Sequence, residues 1–454
     1  MTSPDQAAAP AAGLAMRPAK GAWPALAILC FVYVLNFLDR QLLSILAKPI
    51  QDELGVTDGQ LGLISGLYFA LFYCLISIPV GWLADRTNRV RVLAAACGLW
   101  SAATMACGLS ANYPQLVLAR MTVGVGEAGG VPPSYAIITD YFPPGRRGTA
   151  LSLFNLGPPI GQAMGVAFGA AIAAAYSWRA AFLVIGAVGV VTALVVLFGV
   201  REPERGGLDR AAGAPPKATG GPAGFWATVR MFFSTPALLL VALASAATQI
   251  VTYGAGNFTV LFLMREKGMT LPDVSLWYAL VVIVGMGGGI FVSGRVIDHF
   301  IRRTKAAYAL VPALTLTLAI LPYLGFVQAA EWQVALVFLL APTFLNYFYL
   351  SSAVALVQEE VAPEQRVLSG ALLLLVMNLI GMGVGPTFVG AVSDAVRDTH
   401  PQDSLQVAFY ALTPMYLVAV GLFLALARVL RREERAWGLA AGVASPPLAE
   451  PERR

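Results

Sequence analysis

The sequence predicts an all-α integral membrane protein with 12 transmembrane helices in two pseudo-symmetric six-helix halves, and three observations carry that reading. Hydrophobic residues fill 58% of 454 positions, charged residues only 12%, and the mean hydropathy is +0.71, far from the balance of a soluble globular chain. Apolar runs of about 20 residues, the length that crosses a bilayer core, occur twelve times. A short loop pattern also appears twice at the end of such a run, with Gly four residues before Asp and Arg four after it: Gly81, Asp85, Arg86 and Arg89, then Gly294, Asp298 and Arg302. Gly294 follows Gly81 by 213 residues, so the chain reads as two similar halves. Membrane carriers duplicated around one midplane site have this internal symmetry.

Residues 1–22 are rich in Ala and Pro without the short apolar core of a signal peptide, and are expected to be a disordered cytoplasmic tail. The expected spans are 23–47, 59–84, 90–110, 114–140, 147–175 and 179–200 in a first bundle, residues 23–200. Those of a second bundle, residues 234–430, are 234–264, 272–298, 305–327, 331–357, 366–394 and 405–429. Between them, residues 201–233 change to Gly, Pro, Ala and charge, as a cytoplasmic linker would, and residues 431–454 form a second cytoplasmic tail. With both termini inside the cell, only Lys48, Arg179, Arg265, Lys267 and Arg397 lie outside and most of the 30 Lys and Arg lie in cytoplasmic loops. The positive-inside rule favours that orientation, and the expected location is the cell inner membrane.

Several function classes fall away. The net charge of +5 lies between apolar runs and not in basic stretches interleaved with aromatics, so no nucleic-acid partner is expected. Cys30, Cys74, Cys97 and Cys107 have no metal-like spacing and read as small apolar packing residues. The two histidines, His299 and His400, lie in loops, and no hydrolase or nucleotide-binding motif is present. The chain is not expected to be an enzyme or to need a cofactor, which leaves ion gradients or facilitated diffusion as the driving force. A monomer among membrane lipids is expected.

The loop Gly81, Asp85, Arg86 and Arg89 resembles the signature that the major facilitator superfamily carries between its second and third spans, and the likeness extends from about Trp23 to Leu430. Gly157-Pro158-Pro159-Ile160-Gly161 is similar to that superfamily's Gly-Pro motif in span five, and Gly385-Pro386 stands at a comparable place in span eleven. Gly157, Gly161, Gly165 and Gly169 give span five a face without side chains, and Gly285, Gly287, Gly288 and Gly289 do the same in span eight. Spans five and eight are expected to meet closely through them. The charged loops read as a conformational latch that holds one state and breaks in the other.

A narrower resemblance, to the spinster family, rests on Asn36-Phe37-Leu38-Asp39-Arg40 in span one and on Arg120 with Gly124-Val125-Gly126-Glu127-Ala128 in span four. It implies a lipid-type amphiphile as substrate and proton coupling through Asp39 and Glu127. Physical reasoning reaches the same residues, because a charge at the bilayer centre costs at least about 2.5 to 3.5 kcal/mol and marks a functional site. Arg120, Gly124 and Glu127 share one helix face about 10 Å long, and in the fold that the resemblance implies spans one and four both line the cavity, which lets Asp39 face Arg120. Arg120 is expected to switch between Asp39 and Glu127 and so couple protons to transport. Tyr33, Asn36, Phe37 and Arg40 on one wall, and Tyr253, Asn257, Asn346 and Tyr347 on the other, are the expected substrate cavity. The expected function is proton-coupled secondary transport of a small amphiphile, a lysophospholipid or a sphingosine-phosphate-like lipid, by alternating access. The alternative is a proton-linked transporter of small organic anions or drugs.

Overall fold

Hydrocarbon offers no hydrogen bonds, so a backbone that crosses it must satisfy its own amides, and a helix does so within one segment. The computed structural model describes residues 18–208, 225–362 and 365–443, apart from the side chains of Asp85, Pro144, Gly145, Val367 and residues 436–443. Eleven helices among these residues are long and apolar enough to cross a membrane. They are span one, Ala22–Ile45; two, Asp58–Ala84; three, Arg89–Leu109; five, Arg146–Ala175; six, Trp178–Gly199; seven, Pro236–Arg265; eight, Leu271–Ile301; nine, Ala307–Gln328; ten, Trp332–Glu360; eleven, Leu368–Val396; and twelve, Ser404–Arg435. Span four is the twelfth crossing and is divided into Tyr113–Glu127 and Val131–Tyr141. Twelve crossings put both ends of the chain on one face, called here the terminal face.

Local chemistry fixes the starts of several helices. Thr57 and Gln60 form a capping box at the start of span two, while Asn88, Asn112 and Ser177 each accept a backbone N–H at the start of spans three, four and six. Two segments depart from expectation. The linker contains a helix, Phe225–Ser234, whose Phe232 is fully buried. The last helix runs on to Val443, well past the expected end of span twelve at residue 429. Residues 1–17, the stretch 209–224 of the expected linker and residues 444–454 of the expected second tail lie outside the described residues. Large apolar side chains such as Val191, Leu194, Leu321 and Val337 face outward, the surface that lipid covers.

Glycines set the tightest packing, though between other partners than expected. The glycine face of span five lies on span one: a Cβ at Gly161 would stand 2.3 Å from the Val34 carbonyl oxygen, and one at Gly165 2.8 Å from that of Leu38. The second half repeats the device between spans seven and eleven, where a Cβ at Gly385 would stand 2.5 Å from the Ile250 carbonyl oxygen. Span eight turns Gly285 and Gly289 toward Thr343 and Phe344 of span ten. Spans five and eight do meet, with a Cβ at Gly287 reaching Pro159 at 3.8 Å, but at ordinary van der Waals distance. Close backbone approach is the main source of helix affinity in lipid, and it is concentrated inside each half.

The halves touch chiefly away from the terminal face. There span two lies on span eleven, where a Cβ at Gly62 would stand 2.4 Å from the Pro386 carbonyl oxygen, and Ser44 donates to the Asn257 carbonyl at 2.7 Å. All four spans at this seam are irregular. Span two breaks at Gly66 and span five at Asn155–Leu156, while spans eight and eleven contain π-helical turns at Val274–Tyr278, Ile283–Gly287 and Met377–Met382. Such interruptions are where a helix bends.

The packing makes a direct prediction. Gly161→Ala forces a methyl against the Val34 carbonyl and is expected to cost about 1–3 kcal/mol, lowering the thermal unfolding temperature of the purified protein by several degrees. Gly81→Ala, where a Cβ meets nothing within 4 Å, should leave it unchanged. Equal unfolding temperatures for the two variants would contradict this account of the packing.

Candidate functional site

Asp39 and Arg40 are neighbours on span one, so their side chains leave the helix about 100° apart. Each reaches a different residue of span four. Asp39 lies 3.6 Å from Arg120, with both side chains 3% exposed, and Arg40 donates to Glu127 at 2.6 Å, with Glu127 fully buried. The expected approach of Asp39 to Arg120 is present. Glu127, however, has a cation of its own in Arg40, a pairing the sequence reading did not contain. The Thr104 hydroxyl of span three also donates to Asp39, and Asn36 lies beside Glu127. Asp39 Oδ1, Arg120 Nη1 and Glu127 Oε1 are buried with no hydrogen-bond partner among the described residues.

A cavity of about 120 Å³ separates these pairs from the second half. Phe37, Arg40 and Arg120 line it from one side, and Tyr253, Asn257, Asn346 and Tyr347 from the other. All of these except Arg120 were expected in the wall. Tyr33 and Asn36 are not part of it. Tyr33 stacks on Phe154 with ring centroids 4.4 Å apart and packs under Gly157, where span five breaks, and Asn36 is turned inward at 2% exposure. Helical periodicity places Tyr33 and Phe37 on one face, but only the latter sits deep enough to reach the cavity. Span two adds Phe69 and Tyr73: the Arg40 guanidinium lies 4.9 Å from the Phe37 ring, 5.3 Å from Phe69 and 4.9 Å from Tyr73.

The face remote from the termini is closed by a charged hub. Asp58, fully buried at the start of span two, accepts from Arg265 at 3.0 and 2.9 Å, from Ser393 at 2.7 Å and from Gln51 at 2.6 Å. Asp394 of span eleven reciprocates, accepting from the Asp58 and Gly59 amides at 3.1 and 2.8 Å. This carboxylate thus caps a helix of the opposite half. Sequence reasoning missed the hub, because Thr57 to Gln60 reads only as a helix start and its partners lie 207 and 336 residues away.

The repeated loops lie on the terminal face, and among the described residues no hydrogen bond or ion pair from them joins the halves. Arg89 is buried against Asp140 of its own half at 2.6 Å and against Glu202 at the start of the linker at 2.7 Å, and Arg86 stacks over Trp82 at 4.1 Å. Asp298 and Arg302 are exposed, and a Cβ at Gly81 or Gly294 would meet nothing within 4 Å. The Asp85 side chain lies outside the described residues.

Two similar bundles that carry buried charges beside a cavity lined by both define a membrane carrier. The chain belongs to the Major Facilitator Superfamily, whose sequence profile matches residues 29–386. It is 34% identical over 415 residues to an MFS-type efflux pump of Mycolicibacterium smegmatis, an alignment covering 90% of this chain and 94% of that protein. Protein spinster homolog 1 of Rattus norvegicus is 28% identical over 402 residues, covering 83% and 74%. Among solved structures, a bacterial homolog to the human lysosomal transporter Spinster, inward-facing and unoccupied, matches with a TM-score of 0.82 at 27% identity, covering 90% of this chain and 98% of that one. The protein is therefore a multi-pass transporter with spinster proteins among its relatives, and not an enzyme.

The hub generates the next prediction. Asp58→Ala leaves Arg265 without its partner and removes contacts of about 1.5–3 kcal/mol, so the population open on that face should rise about ten- to hundredfold. Distances between spin labels at the exposed positions Asp52 and Asp398, on either side of the seam, should gain a longer component. An unchanged distance distribution would show that the hub does not hold this face shut.

Proposed function

We propose that the protein is a proton-coupled secondary transporter of amphiphilic lipids that carry a phosphate in the head, lysophospholipid or sphingosine-phosphate-like, in the cell inner membrane with both termini cytoplasmic. The observation that carries this reading is the double ion pair, Asp39 with Arg120 and Arg40 with Glu127, beside a cavity whose opposite wall is uncharged tyrosine and amide. Both arginines reach that cavity. Protonating Asp39 or Glu127 frees its arginine to bind an anionic head, while an anion already on the arginine frees the carboxylate to take up a proton. Proton and substrate are thereby linked through the same cations.

With the termini inside, closure by Asp58 is closure of the outside. The second state then opens the seam at Asp58 and brings the terminal face together. In it the loops Gly81, Asp85, Arg86, Arg89 and Gly294, Asp298, Arg302 meet as the latch, and the open space at the two glycines leaves room for that approach. One observation favours the small organic anions of the alternative over both a lipid and a drug: at about 120 Å³ the cavity is below the several hundred Å³ that usually hold a drug-sized ligand. On the lipid reading, binding must widen the cavity along its apolar and aromatic side.

Purified protein in liposomes separates these readings. Labelled lysophosphatidylethanolamine should accumulate under an imposed pH gradient while glucuronate and ethidium do not; the reverse result selects the alternative. Asp39→Asn and Glu127→Gln should keep the fold but remove the response to the gradient, and Arg120→Ala, which leaves a buried carboxylate without its cation, should be worse by about tenfold or more. Static ion pairs would instead cost stability and leave coupling intact, so gradient-driven uptake by a stable Asp39→Asn protein would end this mechanism. Orientation has its own check. A cysteine at Asp52 should react with an impermeant reagent added outside the cell and one at Arg302 should not, the opposite pattern inverting the topology.

A further inference from the structure

Phe69 belongs to neither ion pair, yet it touches both. Its ring is 2% exposed, and its centroid lies 5.3 Å from the Arg40 guanidinium and 5.5 Å from that of Arg120. Both distances are within the range in which an aromatic quadrupole attracts a cation. Two guanidinium groups beside the same ring repel each other, and the ring is a neutral group that attracts each. The backbone behind it is held tightly, since a Cβ at Gly124 of span four would come within 3.0 Å of the Phe69 carbonyl oxygen.

The same helical turn touches the opposite half. Just past the break at Gly66, the Leu67 amide donates to the Thr387 hydroxyl of span eleven at 3.3 Å, and a Cβ at Gly383 would lie 3.5 Å from that of Ala70. Span two therefore meets the moving seam through residues 66, 67 and 70 and meets both cations through residue 69. These contacts flank an irregular point in span two and face the π-helical turn Met377–Met382 in span eleven. A slide of span eleven that bends span two at the Gly66 break would shift Phe69 relative to the arginines.

We propose that Phe69 is a positioning residue that links movement at the seam between spans two and eleven to the state of the two ion pairs. The inference rests on the proton-coupled reading above. When the seam opens, Phe69 withdraws from Arg40 and Arg120 and the cations rebalance between carboxylate and substrate. The ionisable groups that face this cluster are Asp39 and Arg40 from span one, Tyr73 from span two, Arg120 and Glu127 from span four, and Tyr253 from span seven. Phe69 itself carries no proton.

The test uses the full-length protein in liposomes, with labelled lysophosphatidylethanolamine and, in parallel, glucuronate as probes. Phe69→Leu keeps an apolar group of similar bulk and removes the quadrupole; Phe69→Tyr and Phe69→Trp restore it. The Leu variant should unfold near the wild-type temperature and still carry the probe down its gradient. Its pH-driven accumulation should fall about three- to thirtyfold with a flattened pH profile, and the Tyr or Trp variant should recover most of it. Phe69→Met fills the same space if the Leu variant does not fold. Wild-type accumulation and pH profile in Phe69→Leu would overturn the proposal, as would equal loss in the Leu, Tyr and Trp variants, the mark of a purely steric role. A wild type that accumulates neither probe in response to pH removes the proton-coupled reading, and this proposal with it, whereas a coupled wild type beside a coupled Leu variant removes this proposal only.

Discussion

Four ionisable side chains, Asp39, Arg40, Arg120 and Glu127, are held inside a bundle whose outer surface is apolar, and most of the architecture serves to make that possible. Each such charge costs at least about 2.5 to 3.5 kcal/mol at the centre of a bilayer, so none can face lipid and none can stand without an opposite charge nearby. Span one supplies an anion and a cation at consecutive positions, and span four supplies their partners two turns apart. Consecutive residues cannot serve one partner, so the pairs fall at two levels along span four. The consequence is a site in which two acids can change state separately while sharing one aromatic environment made by span two.

A carrier must also keep two packings close in energy, and the distribution of glycine suggests how this chain does so. Backbone-to-backbone contacts tight enough to forbid a methyl group occur between spans one and five and between spans seven and eleven, inside halves that move as units. Between spans five and eight the contact is ordinary. The seam of spans two and eleven is the exception, because a Cβ at Gly62 would stand 2.4 Å from the Pro386 carbonyl oxygen and one at Gly66 2.9 Å from that of Gly383, in the range of the intra-half contacts. That closeness, together with the Asp58 hub, biases the chain toward closure on the face remote from the termini. The helix breaks in spans two, five, eight and eleven offer places to bend without unpacking either half.

Much of this was legible in the sequence, and the boundary has a physical cause. Apolar length determines where a helix crosses, so ten spans stand within a few residues of expectation, while the break of span four after Glu127, the linker helix Phe225–Ser234 and the long last helix depart from it. Intramembrane charge is expensive enough that Asp39, Arg40, Arg120 and Glu127 could be singled out from one chain. Pairing could not, since spacing on one helix says which residues share a face but not which face of another helix meets them. For the same reason Tyr33 and Asn36 looked like cavity residues and Phe69 and Tyr73 went unnoticed among the apolar residues of span two. The hub at Asp58 was invisible because its partners are set by tertiary contact across the two halves.

On the proposed coupling, the magnitudes of gate and driving force can be compared. Opening the far face breaks the paired hydrogen bonds of Arg265 to Asp58 and the cap that Asp394 gives to span two, of which the charged contact alone amounts to about 1.5–3 kcal/mol. One proton crossing a potential of about 100 mV releases about 2.3 kcal/mol. The two are of the same size, so a single protonation at Asp39 or Glu127 suffices to shift the population between states without a gate so strong that it locks the carrier. A much stronger hub would hold the outside shut against any physiological gradient. A much weaker one would let both faces open together and dissipate the gradient. The hub and the double ion pair therefore have to be matched in energy, and span two joins the two systems, carrying Asp58 at its start and Phe69, beside Arg40 and Arg120, about three turns further on.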